Sequence, residues 1–207
     1  NNMYAKNQVI LGLDMHDAIE LEKEISMNKS WIKSQFTLNV ESGIRKQLYK
    51  YGHNKDLSNI VNIIFGYNIH LQPDFQIIKL DSLNSFLWIG RGYPFRWITF
   101  YKSLKSNYNS TEYSWSQLEK DFKNFMPQIT ISEYFRKINK SNNQIIMRGL
   151  FEHDESQSGG PFFTYIFDTN INNELILISG FVSYPGHDKY LLLKQLEVII
   201  KTFNKGE

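Results

Sequence analysis

The sequence predicts an α+β domain, in which about six to eight mostly antiparallel strands form a sheet and helices pack on it. Three observations support this fold class. Short β-prone runs separated by turn residues fill residues 68–101. Glycines and prolines then punctuate apolar runs within residues 144–184. Helical spacing of apolar residues is concentrated on either side, at residues 17–66 and 187–203.

Residues 1–66 are predicted to form one strand followed by helices. A mostly apolar run at residues 8–13 is typical of a buried strand. The apolar spacing within residues 17–51 then predicts two helices. A third helix is bounded by Asp56, whose carboxylate can accept backbone N–H bonds, and by Gly66, which can turn left-handed. We expect this part to pack with an N-terminal half that is missing from this sequence.

Residues 67–207 are predicted to form the α+β core domain. Its first four strands are short and separated by turns, at residues 68–71, 75–80, 86–89 and 95–101. Such spacing indicates an antiparallel meander. A helix stopped by Pro127 follows, and the polar residues 140–143 indicate an exposed loop.

Three further strands and a closing helix complete this domain. The strands are expected at residues 144–152, 161–167 and 174–184. Residues 159–161 are typical of a turn, and residues 168–173 join the last two strands as a hairpin. The unbroken apolar run at residues 175–178 indicates a central strand covered on both faces. The closing helix is predicted to hold Glu197 on its polar face.

Four sequence strings carry a resemblance to a known family. The most specific are Gly-Gly-Pro-Phe at residues 159–162 and Gly-Phe-Val-x-x-Pro-Gly at residues 180–186. Tyr-Ala-Lys-Asn-Gln-Val at residues 4–9 and Phe-Leu-Trp-Ile at residues 86–89 add to them. With these strings the chain resembles the C-terminal portion of a bacterial family, domain of unknown function 4837. The resemblance implies a Bacteroidetes-type secreted protein or lipoprotein without an assigned activity.

The resemblance also implies a location, and the predicted order of elements implies a topology. We expect an exported protein of the cell envelope, periplasmic or outer-membrane, whose precursor carries an export signal and often a lipid anchor. From residue 67 onward, the order of meander, helix, three strands and helix resembles the PsbP-like fold, a scaffold of binding and assembly proteins more than of enzymes. The expected partner is therefore an envelope protein or a glycan.

Composition argues against several classes of function. The 23 basic and 21 acidic residues give a formal net charge of +2, without the dense basic surface by which nucleic-acid binders neutralise phosphates. The chain has no cysteine, which excludes thiol catalysis and cysteine-based metal sites. No apolar run approaches the roughly 20 residues that span a bilayer. We expect no nucleic-acid partner and no membrane span in this sequence, and no motif indicates a cofactor.

Three histidines are followed by aspartate, a pairing that metal sites and general bases use. The pairs are His16-Asp17, His153-Asp154 and His187-Asp188. The first and last pairs stand at predicted helix starts, where capping by the carboxylate is the simpler interpretation. The middle pair follows Glu152 at a strand end, and Arg148 has the parity to pair with Glu152. A metal-assisted hydrolase using Glu152, His153 and Asp154 is therefore the alternative function.

The densest aromatic and cationic stretch runs over residues 88–97. Exposed rings beside arginines favour stacking on sugars, bases or a partner's side chains, whereas alternate residues along each strand are expected to face the core. The leading hypothesis is a non-enzymatic binding or assembly module, and a nucleic-acid role for the same stretch ranks last. No catalytic or metal-binding residue is assigned. The candidate binding residues are Trp88, Arg91, Tyr93, Arg96, Arg148, Glu152 and His153.

Overall fold

The computed structural model describes residues 10–108, 111–141, 144–154 and 158–205. The chain divides into two compact units, unit 1 from Asn1 to Tyr51 and unit 2 from Gly52 to Glu207. The boundary predicted from the sequence lay after residue 66. The division after Tyr51 instead places the third helix in unit 2, where the ring of Phe65 lies 5.8 Å from that of Phe100 in the sheet.

Unit 1 contains the two helices that the apolar spacing predicts, α1 (Ala18–Met27) and α2 (Lys29–Leu48). The backbone N–H of Glu20 donates a hydrogen bond of 2.7 Å to the Asp17 carboxylate. This bond satisfies one of the amino-terminal N–H groups that a helix leaves without an internal partner. The predicted capping role of Asp17 is therefore confirmed.

The predicted first strand is wrong within its described part. Residues 10–13 form no regular element, and residues 8 and 9 lie outside the described residues. A strand needs a neighbour to take up its backbone hydrogen bonds. The described part of unit 1 contains no strand that could provide one.

The described helices of unit 2 are α3 (Lys55–Phe65), a 3-10 turn (Lys105–Tyr108), α4 (Thr111–Phe125) and α5 (Tyr190–Ile200). Asn54 caps α3, because its side-chain oxygen accepts a 3.1 Å bond from the backbone N–H of Leu57. Asp56, the predicted cap, instead lies in the first turn, where the helix dipole favours an anion. Gly66 ends α3 with a φ of +75°, as predicted.

The strands of unit 2 form a small sheet and a large one. The small sheet pairs β1 (Tyr67–Asn68) with β10 (Asn204–Lys205). Among the described residues the large sheet has eight strands, in the order β2 (Gln76–Asp81), β3 (Phe86–Arg91), β4 (Phe95–Leu104), β9 (Glu174–Ser183), β8 (Ser158–Asp168), β7 (Gln144–His153) and β5 (Ile129–Ile131), with β6 (Lys137–Ser141) also paired to β7. Every pairing is antiparallel, so the predicted α+β class is confirmed.

The segment at residues 68–71 does not open the meander, contrary to prediction. Its strand, β1, pairs with the chain's last strand, so that Tyr67 lies opposite Lys205. The ring of Tyr67 also stacks on that of Phe203 at 4.7 Å. A contact between the two ends of unit 2 has no local signal, so the sequence pattern could not indicate it.

Two strands near α4 differ from the sequence interpretation. Lys140 and Ser141, predicted as part of a loop, belong to β6, while residues 142 and 143 lie outside the described residues. β5 was not predicted at all. Both strands pair with β7, which compensates for their polar or very short sequences.

Successive side chains along each strand point to opposite faces of the large sheet, and helices pack on both faces. On the α4 face, the rings of Phe162 and Phe181 lie 5.7 and 5.4 Å from that of Phe122 in α4. On the α5 face, Phe100 lies 6.4 Å from Phe203, which follows α5. β9 is buried from its second residue to its last, between β4 and β8, which confirms the predicted central strand.

Residues 159–161 form part of β8 and not the predicted turn. A Cβ on Gly160 would come within 2.0 Å of the carbonyl oxygen of Val182, and one on Gly159 within 2.3 Å of that of Phe151. The two glycines therefore allow neighbouring backbones to approach β8 closely.

Candidate binding surface

One end of the large sheet carries a continuous series of aromatic rings. Neighbouring ring centroids lie 4.2 to 6.0 Å apart along the series. Aromatic pairs attract each other over such distances. We call this surface the aromatic ridge, and its members in spatial order are His187, Tyr184, Tyr93, Phe95, Trp97 and His153.

Pairing within the sheet builds the aromatic ridge from distant parts of the chain. The β3–β4 hairpin presents Tyr93 at its tip. Phe95 pairs with Ser183, so the end of β9 lies beside the hairpin and Tyr184 reaches Tyr93. A turn then brings His187 back, because its backbone N–H donates to the carbonyl of Tyr184 at 3.2 Å.

Exposure along the ridge decreases from the hairpin tip toward the core. Tyr93 is 61% exposed and Phe95 is 41% exposed, while Trp97 is half-buried. Beneath them Trp88 is buried, with its ring 5.8 Å from that of Trp97 in an edge-on arrangement. The inner rings thus fix the outer ones on a rigid base.

The ring planes cross around Tyr93, whereas Tyr184 and His187 are stacked with planes 20° apart. The plane of Tyr93 is inclined by 87° to that of Phe95 and by 77° to that of Tyr184. The ridge therefore presents ring edges and ring faces side by side. Such a surface suits packing by a partner's side chains better than stacking of a flat sugar or base, which needs one open ring face.

The candidate residues taken from the sequence do not converge on one site. Trp88 and His153 lie on the α4 face, whereas Arg96 and Arg148 lie on the α5 face. Glu152, next to His153 in β7, is exposed on the opposite side from it. Only Trp88, Tyr93 and His153 belong to the ridge or support it.

Arg96 is an interior residue, since only 5% of it is exposed. Its Nη1 donates to the side-chain oxygen of Gln195, and its Nε has no hydrogen-bond partner among the described residues. Burial, followed by the neighbouring charge of Arg91, lowers the pKa of Arg96 to about 10. Arg91 forms a 2.7 Å ion pair with Asp74. Because one arginine is buried and the other is paired, they do not form a free cationic surface.

Arg148 pairs with a residue that the sequence interpretation placed elsewhere. Its Nη1 donates to Oε1 of Glu197 at 2.5 Å, and Nζ of Lys194 donates to Oε2 at 2.6 Å. Glu197 is buried, whereas the sequence predicted an exposed position for it. Arg148 therefore pairs with Glu197 of the closing helix and not with Glu152, the partner that strand parity allowed.

The residues of the alternative hydrolase site are separated by strand alternation. Glu152 and His153 point to opposite faces of β7, and the backbone N–H of Asp154 donates to the carbonyl of Gln128 at 3.0 Å. Within the described ranges, no three histidine or carboxylate side chains are grouped so that they could hold a metal ion.

At the third His-Asp pair, Asp188 accepts a 3.0 Å bond from the backbone N–H of Tyr190, which begins α5.

The profile described as a domain of unknown function (DUF4837) matches residues 54–202. No curated protein matches the sequence. In the described part of the chain, no helix combines the length and apolar character needed to cross a bilayer.

Solved structures with a similar fold share little sequence with this chain. The Ran-binding protein Mog1p of Saccharomyces cerevisiae is 7% identical, with a TM-score of 0.47 over 68% of this chain and 90% of that protein. Cyanobacterial PsbP from Synechocystis sp. PCC 6803 is 8% identical, with a TM-score of 0.44 over 68% and 87%. A Bacteroides thetaiotaomicron VPI-5482 structure is 12% identical, with a TM-score of 0.38 over 69% and 46%.

Proposed function

The chain belongs to the DUF4837 family, whose profile covers well over half of it, and we propose that it is a non-enzymatic protein-binding module of the cell envelope. The observation that carries the proposal is the aromatic ridge. Tyr93 and Phe95 are exposed at its outer end, and the inner rings hold them in place. Protein interfaces concentrate their binding energy in such anchored aromatic residues.

Tyrosine suits this role because its large surface is ordered at low entropic cost. The crossed planes of Tyr93 and Tyr184 offer both a ring edge and a ring face, against which a partner's apolar or proline side chains would pack. We therefore propose that the binding partner is a protein and not a glycan. Placement in the cell envelope, with a lipid anchor on the precursor, rests on the resemblance of residues 159–162 and 180–186 to exported proteins.

Photo-crosslinking in the producing cells tests the proposal. We expect p-benzoylphenylalanine in place of Tyr93 to give a discrete adduct with one envelope protein. Tyr134 is the matched control, because it is a tyrosine of unit 2 that is 75% exposed but outside the ridge. The same probe at Tyr134 should give no such adduct.

The crosslinked partner, once purified, permits an affinity measurement. Tyr93→Ala should weaken its binding by roughly tenfold or more, as expected for an interface hot spot, while Tyr134→Ala should not change it. An adduct that forms equally at both positions, or equal affinities for the two variants, would refute the ridge as the binding surface. A partner found only in the cytoplasm would refute the location.

A further inference from the structure

A polar pocket lies in unit 2 on elements other than those of the aromatic ridge. It has a volume of about 760 Å³ and lies where the start of α3 meets β1 and β10. Four of its lining side chains are basic residues: His53, Lys55, His70 and Lys205. None of the described lining residues is acidic, and Asp56 of α3 is not among them.

Backbone contacts bring these side chains together from both ends of unit 2. The backbone N–H of Asn54 donates to the carbonyl of Leu71 at 2.8 Å, which holds the segment before α3 against the segment after β1. As a result, the rings of His53 and His70 stack with centroids 5.2 Å apart and planes 21° apart. The pairing of β1 with β10 adds Lys205 to the same pocket.

The chemistry of the lining favours an anion with several oxygen atoms. Two ammonium groups supply positive charge, and the two stacked imidazoles place further ring nitrogens beside them. Ser58 and Asn59 add neutral hydrogen-bonding groups around them. The pocket is also much larger than a single phosphate ion, which leaves room for a polar group attached to it.

We propose that this pocket binds the phosphate group of a polar phosphorylated ligand. Lys55 and Lys205 would pair with the phosphate oxygens, the two histidines would donate hydrogen bonds to them, and the amide and hydroxyl groups would bind the rest of the ligand. This site is separate from the proposed protein-binding surface. It can therefore exist whether or not the aromatic ridge binds a partner.

The test is a titration of the protein with inorganic pyrophosphate, followed by heteronuclear NMR. We expect the ring signals of His53 and His70 to shift together, with an affinity that falls as salt is added. The double variant Lys55→Gln/Lys205→Gln should weaken binding by roughly tenfold or more, because it removes two charge-assisted bonds. Lys120→Gln, an exposed lysine of α4, is the matched control and should bind like the unaltered protein.

Unchanged affinity in the double variant, or shifts centred on other elements, would overturn the proposal. So would equal weakening in Lys120→Gln, since that result indicates general charge attraction. Vesicles containing phosphatidic acid and free glucose 6-phosphate then distinguish a lipid headgroup from a free phosphorylated sugar, with glucose as the neutral control. Tyr93→Ala should retain full pyrophosphate binding, which separates failure of this site from failure of the proposed function.

Discussion

Asp121 of α4 is a carboxylate drawn into the core beside two tyrosines. Tyr108 donates to one of its oxygens and Gln117 to the other, each at 2.8 Å, and the hydroxyl of Tyr101 lies 3.4 Å from that of Tyr108. Burial raises the pKa of Asp121, although these hydrogen bonds act in the opposite direction. Desolvation is the largest cause, so the folded protein binds the proton of this group more tightly than the unfolded chain does.

A raised pKa in the folded state predicts the sign of a pH effect. Asp121 contributes stability below its unfolded pKa of about 4, and that contribution is lost as the pH rises through the folded value. Asp121→Asn stays neutral throughout. We therefore expect its free energy of unfolding, relative to the unaltered protein, to increase between about pH 4 and neutral pH. Urea unfolding at several pH values measures this difference.

Asp168 is the control with the opposite sign. The pKa of Asp168 is lowered mainly by its hydrogen bond with Lys105. The backbone N–H of Asn170, which also donates to this carboxylate, lowers it further. Its contribution is present above the unfolded pKa and is lost as the pH falls through the folded value. Asp168→Asn should therefore lose stability relative to the unaltered protein as the pH rises through this range. The same trend in both variants would contradict the argument.

At the scale of elements, the buried carboxylate of Glu197 adds a polar link to the sheet beside the buried apolar residues of α5. Glu197 accepts hydrogen bonds from Arg148 of β7 and from Lys194 of its own helix. Both cations remain about one-third exposed, whereas only 4% of the Glu197 side chain is exposed. The desolvation cost therefore falls mainly on the carboxylate, and each of its two partners offsets part of that cost.

Removal of this carboxylate should destabilise the protein more than removal of either cation. We expect Glu197→Ala to lower the free energy of unfolding by about 3 kcal/mol, because it breaks a buried pair and leaves a cavity. Arg148→Ala should cost less than that, since Lys194 continues to pair with the carboxylate. Urea unfolding of the two variants gives the comparison, and an equal or larger loss for Arg148→Ala would contradict it.

Some of these elements and their contacts could be predicted from the sequence, and others could not. α3 was predictable because Gly66 ends it in the left-handed conformation and an apolar face lies before it. The last three long strands were predictable from their apolar runs and the hairpin at residues 168–173. The burial of Glu197 and the contact of Tyr93 with Tyr184 were not, because each depends on pairing between segments far apart in the sequence.

At the scale of the whole molecule, unit 2 has a hydrophobic core of its own. One cluster of buried rings and aliphatic side chains runs from Phe86 to Phe181, entirely within unit 2. Among the described residues, every strand of the large sheet belongs to unit 2 and none comes from unit 1. The family profile, at residues 54–202, begins close to the start of unit 2. A domain that carries its own core and complete sheet is expected to fold by itself.

We therefore expect residues 52–207 to fold without residues 1–51. The fragment should give a dispersed NMR spectrum and a single cooperative urea transition, because the contacts of its central strands, β4, β9, β8 and β7, lie within it. Loss of residues 204–207 from the same fragment is the informative comparison. This truncation removes β10 and its pairing with Tyr67 but leaves Phe203 in the core. The urea concentration at the midpoint of unfolding should therefore fall, while the transition stays cooperative. An unfolded 52–207 fragment would show that unit 1 is required for folding.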